Sequence, residues 1–295
     1  MKILLLGKNG QVGWELQRAL LPLGAVIALD RHGGSGFCGD LADLDGLKKT
    51  VRRLQPDVIV NAAAYTAVDK AESERAQALR INSEAPQLLA EEVRRLGGWL
   101  VHYSTDYVFD GQGTVPWREV DSTAPINHYG YSKLLGEQHI ATSGCQYLIF
   151  RTSWVYGSRG NNFAKTMLRL GHENEELRVI SDQYGVPTSA ELIADITAHA
   201  LRTALVNPQL AGLYHLAASG ETNWHDYAKL VIDHARHCGA DLRVRNVVPI
   251  TTAEYPTQAP RPANSRLDTS KLRESFRLNL PIWQSGVIRM LTELL

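Results

Sequence analysis

The sequence has few cysteines and no surplus of charge. Its three cysteines, Cys38, Cys145 and Cys238, stand far apart and form no Cys-x-x-Cys pair. This pattern argues against a disulfide framework and a zinc site, and it favours a reducing cytoplasm. Lysine and arginine together number 31, as do aspartate and glutamate, so the formal net charge is zero. A nucleic-acid-binding protein would show a basic excess or stripe, so we expect no such partner.

Long apolar runs and a hydrolase motif are also missing. No run approaches the roughly 18 apolar residues that a membrane-spanning helix needs, so we expect no membrane contact. The chain opens with a strand-like run, Lys2–Gly7, which is too short for the core of a signal peptide. No Gly-x-Ser-x-Gly elbow is present, which disfavours hydrolase chemistry. We therefore expect a cytoplasmic protein.

Short apolar runs alternate with amphipathic stretches through the first half of the chain. The apolar runs lack polar alternation, which is typical of parallel strands buried on both faces. The alternation predicts an α/β fold, a doubly wound (Rossmann) parallel sheet. The expected strands are Ile3–Leu6, Ala25–Leu29, Asp57–Asn61, Trp99–Ser104 and Tyr147–Thr152, and the expected helices are Val12–Leu21, Leu44–Leu54, Ala67–Leu96 with a break near Asn82 to Pro86, and Tyr129–Thr142.

The pattern becomes looser after about Arg151, and prolines become frequent towards the carboxyl terminus. We expect a dinucleotide-binding domain over 1–150 and a smaller, mainly substrate-binding lobe over 151–295, with some segments returning to the first domain. Helices are predicted over Asn161–Leu170, Glu191–Leu205 and Trp224–Cys238, and a strand over Leu213–Ala217.

Three glycines, Gly7, Gly10 and Gly13, follow the first strand and open the first helix. Glycines allow a tight turn, close approach of the backbone to a pyrophosphate and close helix–strand packing, and the helix terminus offers free N–H groups. The spacing is the variant typical of extended short-chain reductases. It predicts a dinucleotide-binding loop that includes Gln11 and Val12.

Asp30 lies 17 residues after Gly13, just past the second strand. An acid there accepts hydrogen bonds from the adenosine ribose and favours NADH. Arg31 is placed to pair with a 2′-phosphate, so both NADH and NADPH stay open. Further cofactor contacts are predicted at Asp40, Leu41, Ala63, Ala64, Tyr65 and Tyr103.

Tyr129 and Lys133 lie four residues apart on one predicted helix, so their side chains share a face. Reduction of a carbonyl needs a proton for the developing alkoxide, and a phenol is a poor acid at neutral pH. An ammonium one turn away lowers the phenol pKa and can bind the nicotinamide ribose. Thr105, at a strand end, can orient the carbonyl, and the neighbouring Ser104 is the alternative for this role. This order of elements predicts a short-chain dehydrogenase/reductase site that transfers hydride.

Several longer segments are more specific than the glycine loop. They are Gly7–Glu15, Asn61–Glu72, Ser104–Gly111, Tyr129–Lys133, Arg151–Tyr156, Asn161–Met167, Asp182–Thr188 and Arg261–Leu267. Through them, nearly the whole chain resembles the dTDP-4-dehydrorhamnose reductase family. The resemblance implies reduction of the C4 keto group of dTDP-4-dehydro-L-rhamnose to dTDP-L-rhamnose with NAD(P)H, with Tyr129 as the proton donor. It also implies sugar contacts from Thr105, Asp106 and Trp154 and a diphosphate contact from Arg261.

The resemblance further implies a homodimer and Mg²⁺ held by carboxylates at the dimer contact. Glu15, Glu191 and Glu293 stand at positions that resemble those carboxylates. Nothing in their spacing indicates a metal site, and three independent surface glutamates are the alternative.

Two other functions remain open at this stage. A sugar-nucleotide epimerase on the same fold would keep the Tyr/Lys pair and hold NAD tightly. Within the same family, a regulatory subunit would bind without catalysing, although the intact Thr105, Tyr129 and Lys133 favour an active enzyme.

Overall fold

A six-stranded parallel sheet forms the centre of the molecule in a computed structural model that describes residues 1–295. In the order β2-β1-β3-β4-β5-β10, every neighbouring pair is parallel. The strand order reverses between β1 and β3, where doubly wound folds bind ligands at the strand carboxyl ends. The predicted fold class is confirmed. The strands are β1 (Lys2–Leu6), β2 (Ala25–Leu29), β3 (Val58–Asn61), β4 (Trp99–Thr105), β5 (Gln146–Thr152) and β10 (Gly212–His215).

Helices cover both faces of this sheet because alternate strand residues point in opposite directions. Ile3 and Leu5 pack in one core with the first and eighth helices, and Leu4 and Leu6 pack in another with the second and fifth. The helices are α1 (Gln11–Leu20), α2 (Leu44–Leu54), α3 (Val68–Ala71), α4 (Arg75–Leu79), α5 (Ala85–Leu96), α6 (His128–Thr142), α7 (Phe163–Glu173), α8 (Ala190–Val206), α9 (Trp224–His237), α10 (Ser270–Phe276) and α11 (Trp283–Leu294).

The later part of the chain adds three small two-stranded sheets and a third core. That core is built mainly from α7, α9 and α11. In contrast, α8 packs on α1 and β10 pairs with β5, so residues 190–215 lie with the central sheet. The small sheets are β6 (Val155–Tyr156) with β9 (Thr188–Ser189), β7 (Glu176–Ile180) with β12 (Asn246–Ile250), and β8 (Tyr184–Gly185) with β11 (Thr222–Asn223). The division of the chain near residue 150 stays a prediction.

The long predicted helix over 67–96 is where the local structure differs most from expectation. It divides into α3, α4 and α5, and a π-helical turn over Arg80–Glu84 joins the last two. Pro86 accounts for part of this break, since proline lacks a backbone N–H and is accepted only in the first turn of a helix. The two last helices, α10 and α11, were not predicted. None of the helices combines the length and apolar character that crossing a lipid bilayer requires.

The packing of α1 against β1 yields a test of the glycine loop. A Cβ at Gly13 would lie 2.0 Å from the Gly7 carbonyl oxygen, whereas one at Gly34 would meet nothing closer than 3.9 Å. We expect Gly13→Ala to lower the free energy of unfolding by about 1–3 kcal/mol, as overpacking does. Gly34→Ala, the control, should stay within about 0.5 kcal/mol of the parent. Urea unfolding measures both, and equal effects would contradict the close approach.

Candidate active site

A cleft of about 620 Å³ opens at the carboxyl ends of β1, β3 and β4. Most residues predicted to contact the cofactor line it, namely Gly7, Gly10, Gln11, Val12, Asp30, Arg31, Ala63, Ala64, Tyr103, Tyr129 and Lys133. Gly13, Asp40, Leu41 and Tyr65 lie outside its wall. Ser104, the alternative to Thr105, also lines it, whereas Thr105 does not. The sequence analysis missed Asn9, His32, Ala62, Thr66, Thr152, Val155 and Gly160, which line it as well. Several of these come from loops far apart in the chain.

The floor of the cleft is backbone, because glycines bring two turns together. Gly7 has a φ of +86°, and a Cβ there would lie 2.7 Å from the Ala63 amide nitrogen. Gly10 precedes α1, whose first turn carries no acidic side chain. The N–H groups of that turn and its dipole therefore suit a diphosphate. This arrangement fits a dinucleotide.

The Asp30 carboxylate is held at the edge of the cleft by three neighbours. It accepts hydrogen bonds from the side chain of Asn9 at 2.8 Å and from the His32 amide at 2.9 Å, and Lys8 Nζ lies 3.5 Å away. Desolvation acts to raise the pKa of Asp30, but these donors outweigh it and lower the pKa. With Arg31 beside it, the ribose end of the cleft carries both signs of charge.

The predicted cofactor residues outside the wall have structural roles nearby. Asp40 accepts a hydrogen bond from the Ala42 amide at 2.9 Å, and Leu41 is buried in the core beneath α2. The Tyr65 hydroxyl donates to Glu74 at 2.7 Å. The backbone of Tyr65 is clamped by the buried Asn82, which accepts from its N–H at 2.9 Å and donates to its carbonyl oxygen at 3.0 Å.

Tyr129 and Lys133 lie on the face of α6 that closes the cleft. Asn127 caps the start of this helix, and its side chain accepts a hydrogen bond from the Gly130 amide at 2.8 Å. A Cβ on Gly130 would lie 2.1 Å from the Tyr107 carbonyl oxygen, so only glycine lets the helix approach this turn. The close approach brings Tyr129 beside Thr105 at the end of β4.

The environment of Tyr129 differs from the expected one. Burial, together with the Asp106 carboxylate, raises the pKa of Tyr129, while the Thr105 hydroxyl acts to lower it. Lys133 does not lower this pKa as expected, and its Nζ donates to the Tyr103 carbonyl oxygen at 2.6 Å. Tyr129 is therefore a protonated phenol at neutral pH, and it is a weaker acid than a free phenol.

Lys133 is buried, and burial lowers its pKa to about 8 against the opposing effect of Glu137 one turn further along α6. Glu137 is itself buried and forms a paired contact with Arg151 on β5, with N–O distances of 2.7 and 2.9 Å. The Arg151 guanidinium also lies over the Phe109 ring, 4.9 Å from its centroid. The ammonium thus sits in a buried network of alternating charges.

Asp106 lies beside the catalytic candidates with only 3% of its surface exposed. The Thr105 hydroxyl donates to its Oδ1 at 3.2 Å, while Oδ2 has no partner. Burial raises the pKa of Asp106 to about 7, against hydrogen bonds from Ser265 and Thr105. A buried carboxyl with one free oxygen is suited to bind a sugar hydroxyl.

The two remaining predicted substrate residues are held by protein contacts. Trp154 has a φ of +47° and stacks on Trp224 with 3.6 Å between ring centroids. Gly185 packs against its indole ring. Arg261 donates to Asp69 at 2.8 Å. Their predicted contacts with the sugar and the diphosphate stay predictions.

The structure brings the three predicted metal ligands into one surface cluster. The Arg289 guanidinium lies 3.9 Å from Glu191 and 3.3 Å from Glu293, and Arg18 pairs with Glu15. Burial and the nearby Glu15 and Glu293 carboxylates raise the pKa of Glu191 against the influence of Arg289. No group of histidine, cysteine or carboxylate side chains in the chain is arranged to hold a metal ion. Arg18 and Arg289 therefore provide the positive charges beside these glutamates. Binding of Mg²⁺ and formation of a homodimer both stay predictions.

Comparison with known proteins gives the family. The sequence model described as the RmlD substrate binding domain matches residues 1–295. The chain is 57% identical to the dTDP-4-dehydrorhamnose reductase of Salmonella typhimurium over 294 residues, which are 100% of this chain and 98% of that relative. The chain belongs to the dTDP-4-dehydrorhamnose reductase family. As a family member it is an enzyme of the oxidoreductase class.

Solved structures extend this result to three dimensions. A dTDP-4-dehydrorhamnose reductase from Bacillus anthracis, crystallised in complex with NADP, matches with a TM-score of 0.88 at 35% identity, covering 99% of both chains. A UDP-glucose 4-epimerase from Thermus thermophilus matches with a TM-score of 0.79 at 18% identity, covering 100% of both chains. The second likeness shows only that the dTDP-4-dehydrorhamnose reductase family shares this fold with an epimerase.

The burial of Lys133 predicts a pH-dependent stability. Its pKa is about 8 when folded, against about 10.4 for a free lysine. Between these values the unfolded chain holds a proton that the folded protein lacks, so the free energy of unfolding rises with pH. Relative to Lys133→Met, the wild type should gain about 2 kcal/mol between pH ~8 and ~10, at about 1.4 kcal/mol per pKa unit.

Urea unfolding without cofactor across this pH range measures the gain. Lys49→Met, at an exposed position on α2, is the matched control and should track the wild type. If Lys133→Met shows the same pH dependence as the wild type, the ammonium is not buried as described.

Proposed function

We propose that this protein reduces the C4 keto group of dTDP-4-dehydro-L-rhamnose with NADH or NADPH and releases dTDP-L-rhamnose, acting in the cytoplasm. The observation that carries the proposal is that Tyr129 and Lys133 line a cleft that fits a dinucleotide, with the Thr105 hydroxyl beside Tyr129. Relatives at high identity over the full length are named for this reaction.

In this proposal the residues have distinct roles. Thr105 donates a hydrogen bond to the C4 oxygen, and Asp106 accepts one from a neighbouring sugar hydroxyl. When bound, the reduced nicotinamide supplies the hydride. Tyr129 donates its phenolic proton to the C4 oxygen as negative charge develops there. The Lys133 ammonium stabilises the resulting phenolate and binds the nicotinamide ribose.

The substrate would extend from this point towards the later part of the chain. Trp154 is proposed as a wall of the sugar pocket, with its indole fixed by Trp224. Arg261, anchored by Asp69, is proposed to bind the substrate diphosphate, since a guanidinium suits paired contacts with phosphate oxygens.

One observation bears on the alternatives. A non-catalytic subunit has no requirement for Tyr129 and Lys133 to share one cleft with Thr105 beside the phenol. An epimerase would use the same pair, and identification of the product separates it from a reductase.

The assignment of the acid is tested with Tyr129→Phe. Loss of a general acid should lower kcat by about 10²–10⁴-fold and leave the Kd of the dinucleotide within about twofold. The assay follows NADPH oxidation with freshly prepared dTDP-4-keto-L-rhamnose and identifies the product. Tyr131→Phe, at an exposed position on the same helix, is the control. Near-wild-type turnover by Tyr129→Phe would show that another group donates the proton.

Cofactor choice is tested at Asp30. Its carboxylate stands where a 2′-phosphate would be repelled, whereas Lys8 and Arg31 would attract one. Asp30→Asn should therefore raise the ratio of kcat/KM for NADPH to that for NADH by about tenfold or more, since like charges in contact cost several kcal/mol and each ~1.4 kcal/mol is a factor of ten. Asp45→Asn, in the first turn of α2, is the control. An unchanged ratio would mean that Asp30 does not face the ribose.

A further inference from the structure

The ammonium of Lys133 is held from beneath by a buried histidine that the sequence analysis did not single out. Lys133 Nζ lies 3.2 Å from Nε2 of His102, in addition to its hydrogen bond with the Tyr103 carbonyl. His102 is 1% exposed and lies on β4, opposite Asn61 on β3. Its Nδ1 is 3.2 Å from the Asn61 amide nitrogen.

Both ring nitrogens of His102 therefore face a nitrogen donor, but a neutral imidazole offers only one acceptor. The contact with Lys133 involves a buried charge, and hydrogen bonds to charged groups are about twice as strong as neutral ones. The contact with Asn61 is between neutral groups. The stronger contact decides the tautomer, so Nε2 carries the lone pair and Nδ1 carries the proton.

Burial, aided by the Lys133 charge, lowers the pKa of His102 well below its usual value. The imidazole therefore stays neutral and keeps its acceptor. A lysine side chain has several rotatable bonds, and an ammonium has three N–H groups. On the β4 side, His102 Nε2 and the Tyr103 carbonyl oxygen each accept from one N–H of the ammonium. The third N–H is left for another partner.

We propose that His102 is a positioning residue, which accepts a hydrogen bond from Lys133 at Nε2 and thereby aims the remaining ammonium N–H at Tyr129 and the nicotinamide ribose. This proposal rests on the proposed function for its effect on turnover. Its effect on cofactor binding does not depend on the identity of the sugar. With the proton on Nδ1, the ring forms no hydrogen bond with the Asn61 amide nitrogen that it faces. The Asn61 Oδ1 accepts instead from the Ala63 amide at 3.2 Å in the wall of the cleft.

Two amide variants separate the two ring nitrogens. Glutamine at position 102 can place its carboxamide near the Nε2 position, whereas asparagine can reach only the Nδ1 position. We expect His102→Gln to keep kcat within about threefold of the wild type, and His102→Asn to lower it by about tenfold or more, since small misplacements of catalytic groups are costly. KM for the sugar nucleotide should change little in either. Equal kcat values for the two variants would overturn the proposal.

A double variant tests whether His102 acts through Lys133. In a Lys133→Ala background, His102→Asn should cause no further loss of kcat, since residues that act through one contact are not additive. A further tenfold loss would show that His102 supports the fold or another group instead. The thermal unfolding of each single variant at position 102 is measured alongside. We expect the unfolding midpoints of His102→Gln and His102→Asn to agree within a few degrees.

Two measurements decide the proposal without turnover. The Kd of NADPH should be about fivefold weaker for His102→Asn than for His102→Gln, because the ribose contact of Lys133 is lost, and equal values would contradict the proposal. In the wild type, ¹⁵N NMR of labelled histidine should show His102 protonated at Nδ1, and protonation at Nε2 would overturn the assignment. If the wild type does not reduce the sugar nucleotide, the proposed function is refuted. The Kd of NADPH and the NMR result would still decide whether His102 positions Lys133.

Discussion

A buried positive charge is the constraint around which this active site is built. Removing an ammonium from water is costly, and the lowered pKa of Lys133 records that cost. The surroundings offset part of it with the Tyr103 carbonyl, the His102 ring and the Glu137 carboxylate. Glu137 in turn requires Arg151. Much of the polar interior between α6, β4 and β5 therefore follows from placing one lysine beside the cofactor cleft.

This constraint explains why α6 has an unusual composition. Most helices here are amphipathic, whereas α6 buries Ser132, Lys133 and Glu137 on its inner side. Small residues let it approach its neighbours, since a Cβ on Gly136 would lie 2.1 Å from the Asn82 carbonyl oxygen. The helix gives up apolar burial to carry a polar face, which is common where function competes with stability.

Local patterns in the sequence predicted the parts of the site that depend on local geometry. The pair Tyr129 and Lys133 follows from the helical period, and the glycine loop follows from a strand, a turn and a helix in succession. The contacts of His102 could not be predicted, because they depend on the register between β3 and β4 and on the depth at which α6 packs. The same holds for Arg261, whose partner Asp69 is 192 residues away in the chain.

Expectations for the second half were weaker for a related reason. Its strands are as short as two residues, so they show no period of their own. Its core depends on α11 packing with α7 and α9, which come from distant parts of the chain. The first half is built of repeated strand–helix units, and each unit carries its pattern within about 30 residues.

The position of β10 in the sheet has a consequence for how the protein is made. The outer edge of β5 is covered only by β10, and α8 together with α1 covers the face of the sheet beside β1. Ribosomes add residues one at a time, so both surfaces stay open until synthesis has passed residue 215. An uncovered parallel edge and an apolar face are typical sites of misassociation. The early segments of the nascent chain therefore depend on late ones to cover them.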